Sequence, residues 1–280
     1  MLMVLICSAQ VSPIWEDPEK TITHSELFVR QASEAGAELV CFPEQFATGW
    51  DPLSGRHIQD RNGPVVRALR RYAMDYGLAV LGSFREASYP HPRNTCIVFD
   101  KLGRELAHYS KCHLFTPGRE DQAYSAGDTL GLFELAGARF GIAICYDLRF
   151  SPLFSAYARA GAEAVVVPAA WPASRRSHWD LFIRSRAAEH QLYVAGINTA
   201  GQTPVDTYRG GSMTADPTGE VIASLGEGEG LLVSDIQPQM VSDARRALPV
   251  RKDRRPGLYH RLNTPAGKEI SSGGPADPGV

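Results

Sequence analysis

Three side chains in this sequence stand where packing alone does not call for them. Cys145 closes the apolar run FGIAIC (residues 140–145) and is followed by Tyr146 and Asp147. A thiol where a strand gives way to a polar turn is placed for reactivity, because the amides that open a helix favour a thiolate. Glu44 follows another apolar strand and a proline, in VCFPEQF. Apolar and aromatic neighbours desolvate such a carboxyl and raise its pKa, which suits a general base near neutral pH. Lys111 lies in HYSKCHLF; an ammonium beside a thiol lowers the thiol pKa and stabilises an oxyanion formed on a substrate. Glu120, in GRED, reads by itself as a solvated loop residue. Each has an ordinary alternative: a structural buried cysteine, a turn-capping glutamate, a surface lysine.

These side chains need elements that bring them together. Short β-branched runs at 3–10, 38–42, 79–84, 95–100, 140–145, 164–167 and 192–198 read as strands. Amphipathic stretches at 17–35, 64–76, 151–160 and 177–190 read as helices. The alternation predicts an α/β fold with helices covering a sheet. A meander of strands is expected over 205–235, and a loop over 115–128. Gly36–Phe46 (GAELVCFPEQF) repeats as Gly161–Trp171 (GAEAVVVPAAW) without a gap, and Ala169 stands where the first copy has Glu44. VLICSAQ and GIAICYD upstream extend the repeat, with Cys7 and Cys145 at matching strand ends. In parallel sheets, reactive groups gather beyond the carboxyl ends of strands, so Glu44 and Cys145 are expected at one edge.

Composition excludes several classes. The 280 residues are 44% hydrophobic and 21% charged, ordinary for a globular chain, and a net charge of −2 gives no electrostatic case for nucleic acid or anionic membrane. The opening MLMVLICSAQ is apolar but short and lacks a basic start, so it reads as a buried strand, not a signal peptide or membrane span. Five scattered cysteines without a CxxC pair suit reduced thiols in a cytoplasmic protein. Absence of HExxH and of metal-ligand histidine spacing argues against a metal enzyme. Residues 1–250 are expected to form the functional domain. The Pro-, Gly- and charge-rich segment 251–280 reads as an extended tail.

The stretches FPEQFATGW around Glu44, YSKCHLFTPGRE around Lys111 and GIAICYDLRFSPLF around Cys145 resemble the nitrilase superfamily of carbon–nitrogen hydrolases. PAAWP at 168–172 and RGGSM at 209–213 extend the resemblance, which covers roughly residues 3–260. It implies a four-layer αββα sandwich of two pseudo-symmetric halves and a catalytic Glu44, Lys111 and Cys145, with Glu120 as a second glutamate positioning substrate. It also implies a homodimer whose tail reaches the partner, a thioester intermediate, no cofactor, and a Tyr146 backbone N–H in the oxyanion hole. Cys-Tyr-Asp at the nucleophile, in place of Cys-Trp-Glu, looks like the amidase branches. Small aliphatic primary amides are the first expectation. ω-Amides of dicarboxylic acids are the second and need a basic group such as Arg149 or Arg175 facing the pocket; N-carbamoyl amino acids are the third. Phe46, Tyr146 and Trp171 are candidate pocket walls. A papain-like protease would need His113 or His178 beside Cys145, and a non-catalytic scaffold would be expected to have lost one of the three residues.

Overall fold

A computed structural model describes residues 2–264. Of these, the residues up to Ala244 form one compact unit and those from Arg245 on a second. In the first unit the chain runs β1 (Val4–Gln10), α1 (Pro18–Glu34), β2 (Leu39–Cys41), α2 (Pro64–Tyr76), β3 (Ala79–Glu86), β4 (Arg93–Phe99) and β5 (Glu105–Ser110). A short helix, α3 (Glu120–Ala123), leads into β6 (Gly131–Leu135), β7 (Ala138–Ile142), α4 (Ser151–Arg159), β8 (Ala164–Ala169), α5 (Arg176–His190) and β9 (Tyr193–Asn198). The strands β10 (Ala200–Gln202), β11 (Thr207–Arg209), β12 (Met213–Ala215), β13 (Val221–Ser224) and β14 (Gly230–Ile236) follow. The strands build two six-stranded sheets, ordered β14-β1-β2-β3-β4-β5 and β13-β12-β9-β8-β7-β6, with β10-β11 as a separate hairpin.

Side-chain parity explains the layers. In β1, Val4 and Ile6 enter the core shared with the second sheet, while Cys7 and Ala9 face α1 and α2. In β8, Ala164 and Val166 enter the shared core, while Val165 and Val167 face α4 and α5. Strands buried on both faces read as continuous apolar runs, which is why they are visible in the sequence. The result is the αββα sandwich that the resemblance implies.

Helix limits follow local chemistry. Asp17 accepts from the Lys20 N–H at 3.1 Å to open α1, and Pro64 occupies the first turn of α2. Gly77, at φ +68°, closes α2 in the left-handed conformation. The repeat is structural, but its upstream register differs from the expectation. Ile6 pairs with Leu39 and Phe140 with Ala164. Leu39 and Ala164 are equivalent in the repeat, so Cys7 matches Gly141 and not Cys145. Cys145 lies three residues beyond β7, in a 3₁₀ turn over Cys145–Arg149, instead of closing the strand.

In the second unit, short helices at Val250–Asp253 and Pro256–Asn263 stand where an extended tail was expected. Proline just before or at the first helical position presets φ for a helical turn, which a composition-based reading of proline as a breaker overlooks. The rest of that expected tail, 265–280, lies outside the described residues.

Candidate active site

Glu44, Lys111 and Glu120 meet inside the first unit, each at most 1% exposed. Glu44 sits on the turn after β2, where Gln45 takes φ +47°. Buried Arg85 on β3 fixes this loop, donating to the Gln45 side chain at 3.0 Å and to the carbonyls of Gly49 and Arg56 at 2.9 Å. Lys111 follows β5, and its Nζ donates to Glu44 Oε1 and to Glu120 Oε2, both at 2.8 Å. Asn94 Nδ2 bridges the same two carboxylates, at 2.8 Å to Glu44 and 3.1 Å to Glu120. The Phe115 N–H donates to Glu120 at 2.7 Å, and the Ala170 N–H reaches across from the second half to Glu44 Oε2 at 3.0 Å. Glu120 opens the short helix α3 and is wholly buried, which corrects its reading as a solvated loop acid. Its charge is tolerated there because an ammonium, an amide and a backbone N–H meet it.

Cys145 completes the group. Its φ of +45° lies in the left-handed region, which costs a non-glycine residue about 1–2 kcal/mol and persists only where surrounding structure enforces it. The thiol faces the Glu44 carboxylate and the Ala170 backbone, both of which act on its proton affinity. Burial, followed by the Glu44 charge, pushes its pKa well above the usual thiol value, and Lys111 only partly offsets this. The lowering expected from helix-opening amides and from Lys111 is therefore outweighed. Burial disfavours the Lys111 ammonium, but Glu120 and Glu44 outweigh it and hold the lysine charged.

A narrow cavity opens onto Cys145 and Lys111, walled by Trp50, Phe115, Tyr146, Trp171 and Tyr208. Tyr146 and Trp171 are thus where the sequence reading put them. Phe46 is not: it is fully buried and stacks on Phe42 at 4.5 Å in the core beneath the helices. Sequence reasoning missed Asn94, Trp50 and Tyr208; an uncharged amide on a strand and two aromatics carry no local signal of a site. Arg149 lines the same cavity, its guanidinium 4.8 Å from the Trp171 ring centre and 5.3 Å from that of Phe182, and burial lowers its pKa. Arg175 stands over Phe115 at 5.1 Å. Neither histidine proposed for a papain-like site serves Cys145: His113 Nδ1 is 2.8 Å from Asp147, and His178 Nδ1 lies 3.4 Å from Arg149. No metal-binding group of His, Cys, Asp or Glu occurs among the described residues, and no helix there is long and apolar enough to cross a membrane.

Residues 5–246 match the family model for carbon–nitrogen hydrolases. The chain belongs to that family. It is 32% identical over 244 residues to the 2-oxoglutaramate amidase of Bacillus subtilis, covering 86% of this chain and 94% of the relative. It is 33% identical over 264 residues to the human omega-amidase, covering 89% and 94%. Among solved structures, an amidase of Nesterenkonia sp. AN1, with the acetamide moiety of fluoroacetamide added at its active-site cysteine, superposes with a TM-score of 0.81. That match is 27% identical and spans 92% of this chain and 96% of the other. This carbon–nitrogen hydrolase is accordingly an amidase of the nitrilase superfamily, acting on amide bonds other than peptide bonds.

Proposed function

We propose that the enzyme hydrolyses the terminal amide of dicarboxylic acid monoamides, with Arg149 and Arg175 receiving the distal carboxylate. The supporting observation is that both guanidinium groups line the cavity yet form no ion pair among the described residues, whereas neighbouring Arg176 pairs with Asp180 at 2.7 Å. A planar guanidinium held against aromatic rings is pre-organised to bind a carboxylate. The two relatives named as amidases of this substrate kind support the same reading. A plain aliphatic amide, the first expectation from sequence, offers those cations nothing to bind.

In this reading Glu44 takes the Cys145 proton as the sulfur attacks the amide carbon, and the oxyanion forms against Lys111 Nζ and the Tyr146 N–H. The raised thiol pKa makes the base necessary, because little thiolate exists beforehand. Glu44 then returns the proton to the leaving ammonia, and the resulting thioester is cleaved by a water that Glu44 deprotonates. Glu120 keeps Lys111 charged and oriented throughout.

Kinetics on succinamate and glutaramate, with propionamide, butyramide and an N-carbamoyl amino acid alongside, test the substrate assignment. The ω-amides are expected to show the highest kcat/KM. Arg149→Met and Arg175→Met should each lower it about 10- to 100-fold for ω-amides, the worth of a hydrogen bond to a charged group, and leave propionamide unchanged. Equal kcat/KM for succinamate and propionamide returns the assignment to aliphatic amides.

A further inference from the structure

The catalytic lysine and the catalytic cysteine come from different sheets, and one buried carboxylate ties their segments together. Asp147 is fully buried, two residues beyond Cys145. Its Oδ2 accepts the Ile144 N–H at 2.9 Å and the Tyr109 hydroxyl at 2.8 Å. Its Oδ1 accepts both the backbone N–H of His113, at 2.9 Å, and His113 Nδ1, at 2.8 Å. The Tyr109 oxygen in turn accepts the Cys112 N–H at 3.3 Å. Both amides that follow Lys111 are therefore tethered, directly or through one hydroxyl, to the turn that holds the nucleophile. The His113 ring also stacks on Phe150 at 3.7 Å and 6°, closing the brace from outside.

We propose that Asp147 is a positioning residue that holds the Cys145 turn and the Lys111 segment in register, so that Lys111 Nζ and the Tyr146 N–H converge on one oxyanion. Four donors on one carboxylate exceed what turn closure needs, since the Ile144 N–H and the Oδ2 oxygen alone would serve that. The other three come from, or lead to, the lysine segment. A charged acceptor makes these hydrogen bonds stronger than neutral ones. Oxyanion donors act on the transition state, so loss of alignment lowers kcat and spares substrate binding. The inference rests on Cys145 as nucleophile and Lys111 as oxyanion partner.

The test compares kcat, KM and Tm in Asp147→Asn, Tyr109→Phe and His113→Ala with a control, Val98→Ala, which trims the fully buried core between the sheets. Asp147→Asn is expected to lower kcat about 100-fold with KM within threefold of wild type, the scale of losing one oxyanion donor. Tyr109→Phe and His113→Ala should each lower kcat severalfold with KM unchanged, and Val98→Ala should lose Tm but keep kcat. If Asp147→Asn fails to fold, Tyr109→Phe and His113→Ala decide. Wild-type kcat in both, or a kcat loss in Val98→Ala matching theirs at equal Tm, overturns the proposal. Turnover surviving in Cys145→Ala would instead overturn the nucleophile reading, so the two failures are distinguishable.

Discussion

The two halves of the sandwich share one piece of architecture and part only at its last residues. In the first, the Gly36 N–H bonds Ser33 O and the Ala37 N–H bonds Ala32 O; in the second, the Gly161 N–H bonds Ala158 O and the Ala162 N–H bonds Tyr157 O. Glu38 and Glu163 then make the same strand contacts. The Glu38 N–H donates to Leu5 O while its carboxylate accepts the Leu5 N–H at 2.7 Å. The Glu163 N–H donates to Arg139 O while its carboxylate accepts the Arg139 N–H at 3.0 Å. Six residues further on, one copy presents Glu44 and the other Ala169. Next to Ala169, the Ala170 N–H donates to Glu44 Oε2. The scaffold is thus built twice, the buried carboxylate at this place only once, and the second half's matching segment supplies a backbone donor to it. The carboxylates at 38 and 163 hold strand amides, whereas the one at 44 faces Lys111 and is the base in the proposed mechanism.

The largest effect expected from breaking this comparison is at Glu44. Glu44→Gln should lower kcat roughly a thousandfold, within the range for loss of a general base, and leave Tm nearly unchanged. The pH dependence of Cys145 alkylation gives a second, opposite readout. The wild-type thiol has a raised pKa, so labelling by iodoacetamide should be slow at neutral pH and climb through pH 9 and beyond. Glu44 is one cause of that rise, so removing its charge lowers the thiol pKa and should speed labelling at pH 7 while turnover collapses. Slower labelling in the variant would mean that Glu44 does not face the thiol.

Glu44, Lys111 and Cys145 could be picked out because each sits in a short, distinctive stretch, after an apolar run for Glu44 and Cys145, and the structure brings Glu44 and Lys111 into contact beside the cavity onto which Cys145 opens. Helix α2 was legible to the residue because both limits are local: Gly63-Pro64 at the start and Gly77 at the end. Glu120 was reached through the family resemblance and not from its neighbours, which are polar and suggest a solvated acid; Lys111, Asn94 and the Phe115 N–H make its burial acceptable. The direction of the thiol's pKa shift was not legible for a related reason. Local helix amides argue for a thiolate, whereas burial and a carboxylate from a distant strand argue more strongly against it. The match of Cys7 to Cys145 followed side-chain similarity, but strand pairing obeys backbone register, which apolar runs of similar composition do not encode. Arg149 and Arg175 could be named as candidates, but that neither forms an ion pair among the described residues is a tertiary fact.

A smaller effect is expected where the halves agree. Glu38→Ala and Glu163→Ala each remove a charged acceptor from a strand N–H and should cost about 1.5–2 kcal/mol in urea unfolding. Both should leave kcat and KM on whichever amide proves the best substrate at wild-type values. A large kcat loss in either would mean that the repeat contributes more than scaffold to the reaction.

The smallest effect tests whether the shared turn is energetically the same turn. Gly36 and Gly161 adopt φ +77° and +87°, a region that side chains other than glycine enter at a cost. A Cβ on Gly36 meets nothing within 4 Å, whereas one on Gly161 comes 3.2 Å from Arg139 Nη1. That contact is with the far end of a long side chain, which moves aside cheaply, so backbone strain dominates at both sites. Alanine also restricts the unfolded chain, which offsets part of the strain. Gly36→Ala and Gly161→Ala should therefore each destabilise by about 1 kcal/mol, with the two values within about 0.5 kcal/mol of each other. Urea midpoints at unchanged m-value measure this directly. A glycine in one half that tolerates alanine without loss, beside one that does not, would show that matching hydrogen bonds conceal different turn energetics in the two halves.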